Sequence, residues 1–192
     1  MINKNTKDKV VNQLAKDVSS HLKESGSSVL VPNAKSFNAK NVLLVKGFQE
    51  SDQIHKLISM YQSIAQNGNQ LKAKDISIMP GTVYPKGKCE MWLIEMVAKT
   101  IESNVYIFSE TCNKTAKKPS VKKLNILVSS LTKSDLIKAK NAAKKGYAIG
   151  EGVNSAKYLG DLPANHCTPR IIEKKVKACL LYTSPSPRDV HL

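Results

Sequence analysis

His166 and Cys167 are neighbours in the run Pro163-Ala164-Asn165-His166-Cys167-Thr168-Pro169, and a thiol beside an imidazole is the pairing from which cysteine nucleophiles are made. Adjacent residues rarely point at each other, so this pair is not expected to be catalytic. Cys89, Cys112, Cys167 and Cys179 form no C-x-x-C unit and have no histidines at metal-ligand spacing, which leaves reduced, packed thiols. His21 and His55 lie in ordinary helical stretches and are assigned to surface or packing. The stretch Gly81-Thr82-Val83-Tyr84-Pro85-Lys86-Gly87-Lys88 invites comparison with a phosphate loop. Its glycines are wrongly spaced and Cys89 follows the lysine where Ser or Thr is needed, so a plain strand-to-helix turn is expected. No residue is assigned a catalytic role, and none a metal-binding one.

Charge is the remaining chemical feature. Thirty basic residues against fifteen acidic leave a formal charge of +15, which favours contact with polyanions at low salt. The excess is concentrated in residues 113–145, where ten lysines face only Asp135. Neither arginines nor more than a few aromatics interleave them, so base readout is not expected. A solvated lysine-rich face is favoured, with weak contact to DNA as the functional alternative.

These groups must be held by elements that can be read from spacing. The alternation of apolar and charged residues predicts a helix over residues 7–23, and Val29-Leu30-Val31 and Val42-Leu43-Leu44-Val45 read as short strands. Both are continuous apolar runs, as expected of strands covered on two faces. Ser51 is a candidate cap for a helix carrying Ile54, Leu57, Ile58, Tyr61 and Ile64, stopped by Asn67-Gly68-Asn69. Ile76 to Met79 is a third strand, giving a strand–helix–strand crossover with Val42 to Val45. The next helix, from Cys89 to about Glu102, should bury Trp92, Leu93, Met96, Val97 and Ile101, and is expected to run on through Val105 to Phe108. Leu124 to Val128 is the last strand.

The longest element follows. Ala139, Ala142, Gly146, Ile149, Val153, Ala156 and Gly160 recur at intervals of three and four, so they share one face of a helix over residues 134–160. Thr132 and Asp135 stand ahead of it in capping-box spacing. Such a helix is roughly 40 Å long at 1.5 Å per residue, longer than most helices of a small domain, and it reads as a connector. Pro163 ends it and Gly160 can take a helix-end conformation. Thr168 then caps a new helix with Pro169 at its first position.

Gly146-Tyr147-Ala148-Ile149-Gly150-Glu151-Gly152-Val153-Asn154-Ser155-Ala156-Lys157-Tyr158-Leu159-Gly160, with Leu162-Pro163-Ala164-Asn165 and Thr168-Pro169 behind it, resembles the leucine (cytosol) aminopeptidase family. Asp161 stands where that family often has Asn. In the family a helix links an N-terminal α/β domain to the peptidase domain, and an elbow opens the latter; Pro163, Asn165, Thr168 and Pro169 match it as structural residues. The resemblance implies an N-terminal α/β domain at 1–133, a mixed sheet of four to five strands with helices on both faces, macro-domain-like. A linker helix at 134–160 and the start of a truncated peptidase domain at 161–178 complete the division, while residues 179–192, rich in Ser and Pro, read by themselves as a non-native tail. A first strand of the family's domain is expected to be missing.

What the resemblance implies for function is a cytoplasmic, hexameric metalloaminopeptidase that removes N-terminal residues from peptides. Two divalent ions, Mn or Zn, would polarise the scissile carbonyl and supply hydroxide. The family's metal ligands, including those of its N-T-D-A-E-G-R motif, belong downstream of this chain, so the fragment is expected to be inactive and to serve assembly or regulation. The competing expectation is a stand-alone basic α/β module that binds nucleic acid or a phosphorylated ligand. No stretch approaches the roughly 20 apolar residues that span a bilayer, so no membrane partner is expected.

Overall fold

The computed structural model describes residues 28–32, 39–47, 49, 53–80, 83–110, 119–128 and 132–180, with side chains as far as residue 177. The helix expected over residues 7–23, the Ser51 cap, Gly81-Thr82, most of the lysine-rich loop and the tail beyond residue 180 lie outside these residues.

Among the described residues, four strands pair two by two. β1 (Ser28–Pro32) and β2 (Asn41–Val45) form an antiparallel ladder with Leu30 opposite Leu43. β3 (Asp75–Ile78) and β4 (Lys123–Ile126) form a parallel one, Ile76 facing Leu124 and Ile78 facing Ile126. Among the described residues the fold is therefore mixed α/β with two small sheets, where one sheet of four to five strands was expected. Continuous apolar runs were also a misleading guide to burial: Val29 and Val31 of β1 are half-buried while Ser28, Leu30 and Pro32 are exposed. A strand in a two-stranded antiparallel ladder can leave one face in water, and β1 alternates accordingly.

Parallel pairing requires a crossover, and α2 (Glu90–Val105) supplies it between β3 and β4. The strand–helix–strand unit is thus one step later in the chain than expected, because β2 pairs with β1 and not with β3. α1 (Ile54–Gln70) precedes β3. Leu57, Tyr61 and Ala65 on α1 and Leu93, Val97, Ile101 and Val105 on α2 each repeat every four residues, and these rows meet with Met60, Met96 and Ile78 in the core. Burying an aliphatic side chain of this kind contributes about 1.5–3 kcal/mol. The expected Leu93, Met96, Val97 and Ile101 are all in this core, with Trp92 packed half-buried at its edge.

Two helix ends depart from expectation for one reason. α1 continues through Asn67-Gly68-Asn69 to Gln70, and α2 stops at Val105 instead of running on to Phe108. The Asn69 amide donates to the Val105 carbonyl at 3.0 Å, and the Asn69 carbonyl oxygen lies 3.4 Å from the Ser120 amide nitrogen. A residue type that usually breaks helices is here held in one by tertiary bonds, and its bond satisfies a free carbonyl at the end of another. Tyr106 then takes an extended conformation, φ −57° and ψ 133°, leading the chain away from the α2 axis.

Before α2, Lys88 N–H donates to the Pro85 carbonyl at 3.0 Å and Gly87 has φ +77°. The glycine is needed for that left-handed conformation, so its place in a tight turn accounts for it without a phosphate.

Candidate functional site: the long helix and its elbow

α3 (Lys133–Asp161) is the predicted long helix, one residue longer at each end. Its N-cap is formed: Thr132 Oγ1 accepts from Asp135 N–H at 3.2 Å, as the first half of a capping box requires, and donates to Asp135 Oδ2 at 2.7 Å. The bond from Thr132 and that from Lys138 hold the Asp135 carboxyl below the ordinary carboxylate range. The macrodipole at this end favours the same charged form.

α3 lies along α2, and glycines set the distance. Gly146 sits against the backbone carbonyl of Glu95, and a Cβ added there would fall 2.9 Å from Ala98 Cβ. One turn on, Gly150 faces Glu102, whose Cβ would be 2.6 Å from an added Cβ. The next turn is polar. Asn154 Nδ2 donates to the Glu102 carbonyl at 3.0 Å and reaches its Oε1 at 3.4 Å, and Lys157 Nζ donates to the Ser103 carbonyl. Tyr106 O–H donates to Asp161 Oδ2 at 3.0 Å at the far end. Its phenol is pushed up to about 12, by lost hydration first and then by the bond to Asp161.

The contact therefore follows Gly146, Gly150, Asn154 and Asp161, close to an i, i+4 row, as in helices that pack ridge into groove. Ala139 and Gly146 of the expected face are buried, but Ile149 and Val153 are exposed at 39% and 37%. Weight given to large apolar residues led the expected face round to solvent. The smallest residues mark the contact, because backbone-to-backbone approach excludes larger ones. The outer surface carries Ile137, Tyr147, Ile149 and Val153 together with Lys133, Lys140 and Lys144, all exposed.

The elbow is a short hydrogen-bonded corner. Leu162, extended at φ −68° and ψ 131°, is buried and donates its N–H to the Tyr158 carbonyl at 3.2 Å. Pro163 accepts from both His166 N–H and Cys167 N–H at 2.8 Å. Thr168 accepts from Ile171 and Ile172 N–H at the start of α4 (Pro169–Leu180). Pro163, Asn165 and Pro169 are exposed and Thr168 is half-buried. Tyr158 braces the corner, its ring 6.2 Å from that of Phe108 and Lys175 Nζ 4.6 Å above it. A bond to Glu110 raises the Tyr158 phenol.

His166 is exposed and Cys167 half-buried; no bond between their side chains is seen. Among the described residues no group of three or more His, Cys, Asp or Glu side chains converges as a cation would require, so these residues do not fit the divalent ions the resemblance implies. No helix among them is long and apolar enough to cross a membrane. The polar α2–α3 contacts had no sequence signal beyond the elbow's neighbours, since Glu102 and Asn154 are far apart in the chain.

No protein-family model matches the chain. It is 26% identical over 157 residues to a probable cytosol aminopeptidase of Nitrosomonas eutropha, covering 79% of this chain and 30% of that protein. It is 26% identical over 156 residues to the cytosol aminopeptidase of Pseudomonas aeruginosa, with the same coverage. Among solved structures, a tomato leucine aminopeptidase variant matches with a TM-score of 0.70 and 19% identity over 92% of this chain and 34% of that one. The bottromycin maturation enzyme BotP, solved in one instance in complex with Mn, matches with a TM-score of 0.59 and 16% identity over 82% of this chain and 31% of that one. The resemblance to cytosol aminopeptidases thus extends over about four fifths of the chain, which spans about 30% of the length of these relatives. The structural likeness is one of fold.

Proposed function

We propose that this chain is the N-terminal α/β part, the connecting helix and the first turn of the peptidase part of a leucyl aminopeptidase. The whole enzyme would release N-terminal residues from peptides with two divalent ions, Mn or Zn, in the cytoplasm and as a hexamer. Residues 1–133 would be the N-terminal domain, its two ladders belonging to one larger sheet; residues 134–160 the connector; and residues 161–178 the opening of the peptidase domain. Pro163, Asn165, Thr168 and Pro169 would set the direction in which that domain starts. The observation that carries this reading is the sequence likeness to cytosol aminopeptidases over about four fifths of the chain and about 30% of those relatives, with a fold like that of a leucine aminopeptidase beside it.

The residues described here would bind and position, not catalyse. A hydrolytic metal site needs several converging carboxylate, imidazole or amine donors to hold the ion that would depress the pKa of its water. Purified chain incubated with an aminoacyl chromogenic substrate and Mn or Zn is expected to give no turnover above the metal alone. Metal-dependent release by the purified chain overturns the assignment of the catalytic groups to the remainder of the enzyme.

One observation favours a second reading, a basic module for polyanions. Lys133, Lys140 and Lys144 stand exposed on α3, without salt-bridge partners among the described residues. If phosphates are bound there, filter binding to duplex DNA falls steeply with added salt. Absence of binding at low salt removes that reading and leaves the lysines as a solvated face.

A further inference from the structure

The α2–α3 contact contains an acid and an amide whose bonding is incomplete. Asn154 Nδ2 has two acceptors, the Glu102 carbonyl at 3.0 Å and Glu102 Oε1 at 3.4 Å. Both lie on the same side of the amide, which fixes its orientation. Asn154 Oδ1 is consequently turned into the contact, where it is buried and has no hydrogen-bond partner. A buried acceptor left without a donor destabilises the contact that holds it. A donor could come from Glu102 itself. A protonated carboxyl that already accepts from Nδ2 through one oxygen can donate through the other to Oδ1, closing a two-bond ring of acid and amide.

We propose that Glu102 and Asn154 form a proton-operated clasp, in which a proton on Glu102 completes the acid–amide ring across α2 and α3 and its loss loosens the contact.

The surroundings favour this use. Gly150 sits directly over the Glu102 Cβ and Cγ, limiting the side chain's escape from the contact. From α3, Glu151 faces Glu102 with like charge, and Tyr147 donates to Glu151 Oε1 at 3.1 Å. Lys157, the nearest lysine along α3, is engaged by the Ser103 carbonyl. On α2 Lys99 stands about one turn before Glu102, and Tyr106, just past the end of α2, is bonded to Asp161. Burial first, and Glu151 second, raise the Glu102 carboxyl above its ordinary value, against the lowering effect of the Asn154 bond.

The sign of the pH dependence follows. A carboxyl with a raised folded-state pKa stabilises the fold fully below its unfolded value, and that contribution is lost as pH rises through the raised folded value. The clasp therefore closes as pH falls through the raised Glu102 value and opens as pH rises above it.

Carbon-13 titration of the Glu102 carboxyl in the full chain is expected to give a midpoint shifted above the ordinary glutamate value. Glu102→Gln supplies a permanent amide donor to Oδ1 while keeping the acceptor for Nδ2. Its thermal midpoint is expected to exceed that of the unaltered chain near neutral pH, with the difference shrinking towards about pH 4. Asn154→Leu should shrink the pH-dependent part of that difference without abolishing it, because burial and Glu151 raise the Glu102 carboxyl independently of Asn154, and an undiminished pH-dependent part overturns the clasp. A Glu102 midpoint at the ordinary value, or a Glu102→Gln offset that stays constant with pH, overturns the clasp.

Discussion

Gly146→Ala is expected to lower stability by about 1–3 kcal/mol, through overpacking at a close helix crossing. The direction is not obvious, because in an exposed helix the same change stabilises by roughly 0.5–1 kcal/mol. Space decides between the two effects. The new Cβ would meet the backbone carbonyl oxygen of Glu95 inside contact distance and Ala98 Cβ at 2.9 Å. Neither obstacle is the movable end of a long side chain, so α3 must retreat from α2. Retreat would stretch the Asn154 and Lys157 bonds to Glu102 and Ser103. The Lys145–Glu95 ion pair beside the crossing, 3.1 Å long with its lysine largely in water and its glutamate half-buried, offsets little of this loss. Gly152 provides the opposing case on the same helix: nothing lies within 4 Å of an added Cβ. Gly152→Ala should therefore raise stability by about 0.5–1 kcal/mol. Urea midpoints of both variants by circular dichroism decide the matter, and equal shifts in one direction for the two would show that the crossing is not close-packed.

The contrast between the two glycines also shows where sequence information ends. Thr132, Asp135, Pro163 and Pro169 mark local events, a cap and a corner, and each is governed by the backbone within a few residues of itself. These were legible. Helical periodicity located the long rod, and its glycines announced close packing. Periodicity could not say that Gly150 and Asn154 face α2 while Ile149 and Val153 face water, because that depends on which helix lies alongside and at what angle. Similarly, Asn69 has the composition of a helix stop and is kept helical by the Val105 carbonyl and by Ser120. Strand pairing was the least accessible feature. Val42 to Val45 and Ile76 to Ile78 both read as short strands, and only long-range packing makes one antiparallel to β1 and the other parallel to β4. For the elbow, the residue types predicted a turn and a helix start; the bracing by Phe108, Tyr158 and Lys175 comes from segments that meet only in the folded chain.

Leu93→Ala is expected to cost about 2–5 kcal/mol, the range for truncating a fully buried leucine where the cavity cannot collapse. Leu93 is 1% exposed and stands at the head of the row Leu93, Val97, Ile101 and Val105 that meets α1. Collapse around the vacancy is restricted because α2 is engaged on two sides, by the α1 core and by the glycines of α3. The two large substitutions should differ in kind. Gly146→Ala acts at the outer side of α2 and is expected to free α3 while Trp92, packed on the core, keeps its native fluorescence. Leu93→Ala acts within the core against which Trp92 packs and should shift the fluorescence and helix transitions together, since α3 has no other described helix of comparable contact to rest on. Coincident transitions in Leu93→Ala and separated ones in Gly146→Ala would establish α2 as the platform on which the long helix is carried. If the helix signal survives loss of the Trp92 environment in Leu93→Ala, α3 stands independently of the core and that platform does not exist.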